Sequence, residues 1–254
     1  MNRVKWLHAL AWMSVLVCVP LQGQAEVIGK VLLAAGEVLA VRDGQEIRLA
    51  VGAPIHDRDT LRTGAASNLQ VRLTDESIIS LRQHSQLRID EYRFSGKEDG
   101  QERSFLRLLK GGFRTITGLI GRSNYKNYAV ITPSATIGIR GTMYALANCQ
   151  QDCQNPDGNL APDGVYGSVI GLSYGTNQLS VSNNAGDTVL GTNQHFHVAD
   201  VNSVPKLLLE PPVFLRDSLS GAKPTGITAA APVSAGGIVA ESRPSILPDA
   251  GNTV

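Results

Sequence analysis

The chain is poor in the side chains from which active sites are usually assembled. Five histidines and three cysteines occur in 254 residues. Neither a Walker loop nor a His-Glu-x-x-His pair occurs, and no hydrolase-type serine elbow is expected. The adjacent acids Asp75-Glu76 and Asp90-Glu91, if they lie on strands, point to opposite faces and begin no acid–base pair. These shortages predict a chain that is not an enzyme and that holds no metal or other cofactor. His195 and His197 share a strand face, but without a third ligand nearby they read as ordinary strand histidines.

An excess of one charge is also missing. Lys and Arg number 23 against 22 Asp and Glu, a net charge of +1, which points away from nucleic acid. No run reaches the roughly 18 apolar residues of a membrane helix. The nearest, Ala9 to Leu21, is about 13 residues long. Arg3 and Lys5 precede it and the small-x-small triplet Gly23-Gln24-Ala25 follows. Residues 1–25 therefore read as an export signal cleaved after Ala25, and the periplasm is the expected location. Cleavage removes Cys18 and leaves Cys149 and Cys153. An even pair in an oxidising compartment is most simply a disulfide.

What the chain does have is alternation. Leu69, Val71 and Leu73 take one side of a strand and Gln70, Arg72 and Thr74 the other. Leu87 and Ile89 oppose Arg88 and Asp90. Asp43-Gly44 falls between two apolar runs, where glycine's access to positive φ favours a tight hairpin turn. A second hairpin is expected around Asn183 to Asp187. Its flanks faintly echo the first, from Gly36 to Gly52. In "SFLRLLKGGFRT" (Ser104 to Thr115) the preferred reading is strand, turn, strand. Short strands with frequent turns predict an all-β domain over 26–204, in sandwich-like or solenoid-like layers. The polar stretch 148–164, with both cysteines, reads as an insertion loop. Seven of the twelve prolines lie from Pro205 to Pro248, so 205–254 is expected to be a mostly disordered tail. Its exception is "KLLLEPPVFLRD" (Lys206 to Asp217), which could pack on the domain or serve as a linear motif.

Charge is unevenly placed. Arg103, Arg107, Lys110, Arg114, Arg122, Lys126 and Arg140 occur over residues 103–151 without one acid, while 152–204 carries five acids and no base. The two blocks could neutralise each other across a sheet. Otherwise the seven cations form a candidate surface for an anionic glycan or another envelope polymer.

The stretch "VITPSATIGIRGTMYAL" (Val130 to Leu146) is the most distinctive. Read as strand, it puts Ile131, Pro133, Ala135, Ile137 and Ile139 on one face, with Thr132, Ser134, Thr136 and Arg140 on the other. It bends at Gly138 and Gly141, where Arg140 is expected to tie the bend. This stretch resembles the signature of the FecR protein domain family, with Thr132, Pro133, Gly138, Arg140, Gly141 and Thr142 in the signature positions. The similarity extends upstream through Asp59-Thr-Leu-Arg-Thr-Gly64 and Leu73-Thr-Asp-Glu-Ser77, from about Gly36. It implies an all-β fold without enzymatic activity, and gives those six residues a structural role. In signalling members a cytoplasmic anti-sigma segment and a membrane helix precede the domain. Here only an export signal is read before it, so iron-dicitrate sensing does not transfer. The expected function is a non-catalytic binding or scaffolding module of the bacterial envelope. Its partner would be a protein, met through sheet edges and Lys206 to Asp217, or an anionic glycan met through the cations. A part in cell-surface signalling without its own anti-sigma segment is the further alternative.

Overall fold

A computed structural model describes residues 26–155, 157–171 and 176–219. The expected signal and the tail beyond 219 lie outside the described residues. In chain order the strands are β1 (Val27–Ala35), β2 (Val38–Arg42), β3 (Gln45–Arg48), β4 (Pro54–His56), β5 (Thr60–Thr63), β6 (Asn68–Leu73), β7 (Ile78–Leu81), β8 (Gln86–Arg93), β9 (Arg103–Ile116), β10 (Tyr128–Ile131), β11 (Thr136–Arg140), β12 (Met143–Cys149), β13 (Gly164–Val169), β14 (Gln178–Asn183), β15 (Gly186–Leu190), β16 (His195–Val198) and β17 (Lys206–Leu208). Two short helices, α1 (Leu119–Ser123) and α2 (Val213–Leu219), accompany them. The fold is all-β, as the alternation predicts.

The strands form two layers that share β9. Sheet A runs β4-β1-β6-β7-β9-β12-β13-β16-β17. Sheet B runs β3-β2-β5-β8-β9-β10-β11-β14-β15. The first half of β9 pairs with β8 and β10 in sheet B; its second half pairs with β7 and β12 in sheet A. The corner is Gly111, with φ of +68°. A Cβ there would stand 2.6 Å from the His84 carbonyl oxygen, so the crossing needs glycine twice over, for its dihedral and for its closeness. The expected turn in "SFLRLLKGGFRT" is thus a bend inside one continuous strand.

This crossing explains the helices that alternation could not forecast. β9 ends in sheet A, but β10 lies parallel to its first half in sheet B. A parallel neighbour needs a return crossover. α1 and the 3-10 turn Tyr125–Asn127 supply it, with Ile120 buried as its anchor.

Between the layers lies one continuous core. Val38, Ala40, Leu61, Leu87, Ile89, Leu106 and Leu108 of sheet B meet Val31, Leu69, Val71, Ile79, Leu81 and Phe113 of sheet A, all buried. Each of the Val, Leu, Ile and Phe side chains among them contributes about 1.5–3 kcal/mol. β2–β3 and β14–β15, the two hairpins that echo each other in sequence, occupy opposite ends of sheet B. In the first, Asp43 and Gly44 both take positive φ, as a type I′ turn requires.

A second cluster covers the outer face of sheet A. Ala145, Ala147, Cys149, Ala161 and Tyr166 receive Leu215 of α2, which is fully buried. The expected domain end at residue 204 is therefore too early. Lys206–Leu208 pairs with β16, and α2 packs on β12 and β13. The prolines of this segment fall between its two elements rather than dissolving both.

Two local readings change. Ile131 to Ile139 is not one strand but a hairpin. Thr132 Oγ1 accepts the Ala135 amide at 3.0 Å and donates to its carbonyl at 2.7 Å, closing a turn that leaves Pro133 exposed. In β8 the register shifts between Ile89 and Glu91. This bulge keeps Asp90 and Glu91 both out of the core, between buried Ile89 and Tyr92, rather than on opposite faces.

Candidate binding surfaces

The signature residues meet at the return crossover. Gly141, at φ +52°, donates its N–H to the Gly121 carbonyl at 2.8 Å. The Thr142 amide donates to Thr117 Oγ1 at 2.9 Å, and that hydroxyl donates to the Thr142 carbonyl at 3.0 Å. Both threonines are fully buried. Arg140 is exposed and lies 3.8 Å over the ring of Tyr125. Gly138 lies mid-strand, where a Cβ would press on Ser180 Oγ at 2.5 Å. Arg140 thus meets the 3-10 turn through an aromatic ring rather than an acid. The signature therefore fastens α1 and the 3-10 turn to the layers, and Thr132 closes the preceding hairpin.

The seven cations do not converge. Arg103 and Arg107 sit on the outer face of sheet B, paired with Glu91 at 3.4 Å and Asp90 at 2.7 Å. Lys110 stands at the corner of β9, 3.7 Å from Asp152. Arg114, beyond the corner, belongs to the outer face of sheet A. Arg122 donates to the Thr117 carbonyl from α1, while Lys126 lies on the 3-10 turn and Arg140 on Tyr125. The crossing of β9 deals one basic stretch onto two layers and a loop. Pairing of the basic block with residues 152–204 is realised at Lys110–Asp152. Arg103 and Arg107 instead find the β8 acids.

At the β9 corner lies a cleft of about 450 Å³, lined by Arg82, His84, Lys110, Gly111, Asp152 and Phe214 among others. One wall is the Cys149–Cys153 disulfide loop. Asp152 accepts the Gln150 amide and faces Lys110, so its carboxylate is engaged. Among the described residues no group of three or more His, Cys, Asp or Glu is placed to hold a metal ion. His195 is buried, bonded through Nδ1 to Ser168 Oγ at 3.0 Å, and burial lowers its pKa. His197 stacks on Tyr166 at 4.1 Å and reaches the Asp163 carbonyl. Both imidazoles are engaged within sheet A, by Ser168 and by Tyr166 with the Asp163 carbonyl.

Sequence reasoning missed one spacing. Gly171-Leu172-Ser173-Tyr174-Gly175 has the Gly-x-Ser-x-Gly form of a serine elbow. An elbow needs a strand, a sharp turn and then a helix. Here strand β14 follows at Gln178, which is the wrong context. Residues 172–175 themselves lie outside the described residues.

One exposed apolar surface is at the end of the layers where β15 and β17 lie. Val189, Val201, Val204, Leu207 and Leu209 are exposed there, Leu207 by 59% and Leu209 by 104%. The loop before β17 is tied to the β14–β15 turn by Asn184 N–H to the Val201 carbonyl at 3.0 Å and by Asn183 Nδ2 to the Ser203 carbonyl at 2.7 Å. These side chains thus belong to one end of the molecule. No helix among the described residues is long and apolar enough to cross a membrane.

No curated relative matches the chain in sequence. Two crystal structures of a candidate anti-sigma factor from Parabacteroides distasonis align with it at TM-scores of 0.46 and 0.45 and identities of 17% and 15%. Each alignment covers 64% of this chain, and 64% and 65% of those chains respectively. The FecR protein family matches residues 59–155, from the buried Asp59 before β5 to the disulfide loop after β12. The strands on either side, β1–β4 and β13–β17, complete the same two layers. Over residues 59–155 this chain is similar to the FecR protein family.

Proposed function

We propose that the chain is an exported, non-catalytic module of the bacterial envelope that binds a protein at its sheet edges. The carrying observation is the exposed apolar end formed around β15 and β17, with Leu207 and Leu209 uncovered beside an edge strand. Edge strands offer unpaired backbone groups, and apolar side chains beside them add affinity. Export rests on the charged and apolar pattern of residues 1–25. The Cys149–Cys153 bridge suits the oxidising compartment such a signal leads to.

The anionic-polymer reading is less well supported. It needs cations on one face, and at least three of the seven are paired with acids while the set divides between layers. Of the two readings of Lys206 to Asp217, packing on the domain or a linear motif, the segment follows the first and supplies β17 and α2, so it contributes an edge rather than a loose tether.

Salt separates the two. Chemical crosslinking of the mature chain in envelope extracts, repeated across salt concentrations, should give a protein adduct that survives high salt. Leu209→Lys should abolish that adduct. An adduct with a polymer, lost as salt rises and indifferent to Leu209→Lys, would replace this reading with the glycan one.

A further inference from the structure

We propose that the β17 edge pairs with β17 of a second copy of this chain, forming a two-fold dimer. The inference rests on the reading of this end as a protein-binding surface and names its occupant. Among the described residues β17 has a partner only on its β16 side. Leu207 lies opposite Phe196 in the register, on the core-facing side, yet it is 59% exposed because nothing among the described residues covers it. Leu209 and Val204, at 104% and 63%, flank it.

The segment is complementary to itself. β17 ends at Leu208 and Leu209-Glu210 form a bend; with those two residues extended, Lys206-Leu207-Leu208-Leu209-Glu210 laid antiparallel against a second copy sets each Lys206 beside a Glu210 and each Leu207 beside a Leu209. An isologous interface needs that property, since every contact is made twice. A foreign strand has no such requirement. Glu210 now pairs with Arg216 at 2.9 Å, an exposed pair that constrains it little. Pro205 and Pro211 bracket the segment. Lacking backbone N–H groups, they limit the ladder to at most five residues, and the two-fold pairing occupies the free β17 edge of both copies, so the contact closes as a dimer. So short a ladder gives a weak dimer, with a dissociation constant on the order of 10–100 μM.

Sedimentation equilibrium of the mature chain over about 5–500 μM tests this. A dimer should accumulate over that range. Leu207→Lys, at an exposed site, should weaken it roughly a hundredfold, because the change counts twice. Lys206→Glu should weaken it roughly tenfold, and adding Glu210→Lys should restore it. A monomer at about 500 μM overturns the proposal, as does a dimer indifferent to Leu207→Lys. So does a charge-swapped variant that stays as weak as Lys206→Glu alone. If the chain is monomeric but a crosslinked envelope protein depends on Leu209, protein binding stands and self-pairing falls. If neither is found, both fall.

Discussion

Replacing Arg42 with alanine tests how sheet B holds its first hairpin. Asp59 opens the matched family segment and is fully buried. Its carboxylate accepts Arg42 Nε at 2.7 Å, Arg42 Nη2 at 2.8 Å and the His56 amide at 2.9 Å. That hydrogen bond raises the Arg42 pKa. The pair ties the end of β2 to the turn between β4 and β5. Removing the guanidinium leaves a buried carboxylate with only the His56 amide. Breaking a buried pair from one side costs about 3–5 kcal/mol. Arg42 is 23% exposed, so water can enter and the lower end, about 3 kcal/mol, applies. For a domain of this size that is a fall in Tm of about 6–12 °C. Urea and thermal unfolding of Arg42→Ala, Asp59→Asn and the double variant would give the coupling, expected above about 2 kcal/mol. A loss under about 1 kcal/mol in Arg42→Ala would mean the pair behaves as a surface contact, and the reasoning fails.

Gly111→Ala should cost more than about 2 kcal/mol in urea unfolding, through positive φ and the clash with the His84 carbonyl; Gly44→Ala, equally positive in φ but with open space, should cost less. Thr117→Val should destabilise by about 1–3 kcal/mol, since it deprives the buried Thr142 amide of its acceptor, and more than Thr142→Val does. Arg140→Ala should cost only about 0.5–1 kcal/mol by thermal melting, the worth of an exposed contact on Tyr125. His195, with its pKa lowered by burial, takes up a proton more readily unfolded than folded. Its effect is absent well above the unfolded pKa of about 6.5, and stability falls as pH drops through it. His195→Gln should flatten that fall; an unchanged slope would assign it to other groups.

Periodicity was legible wherever a strand buries one face and turns sharply, as at Leu69, Val71 and Leu73 or at Asp43-Gly44. It failed where a side chain or a crossing sets the path. Thr132-Pro133-Ser134 is a turn signal inside an apparently continuous strand, and Thr132's hydroxyl decides for the hairpin. The Asp90-Glu91 bulge has no local mark, because it answers to the β9 register across from it. The cover on sheet A did leave a trace. Tyr144 and Leu146 alternate with Ala145, Ala147 and Cys149, so β12 is apolar on both faces and needs something on each. That something is the segment from Lys206, which its prolines disguise. The spread of the cations had no mark in the sequence, because four of the seven lie on a strand that changes layers and the other three on α1, the 3-10 turn and the end of β11.

That strand also dictates how the protein can be made. Everything before β9 needs it to finish both layers, and so does everything after. A ribosome-bound chain that has emerged only as far as β8 has two incomplete layers waiting for the same fourteen residues. Such distant pairings slow folding and leave edges open meanwhile. Two fragments divided in the exposed loop before Arg103 should therefore be poorly folded alone and reassemble when mixed, with β9 as the seam.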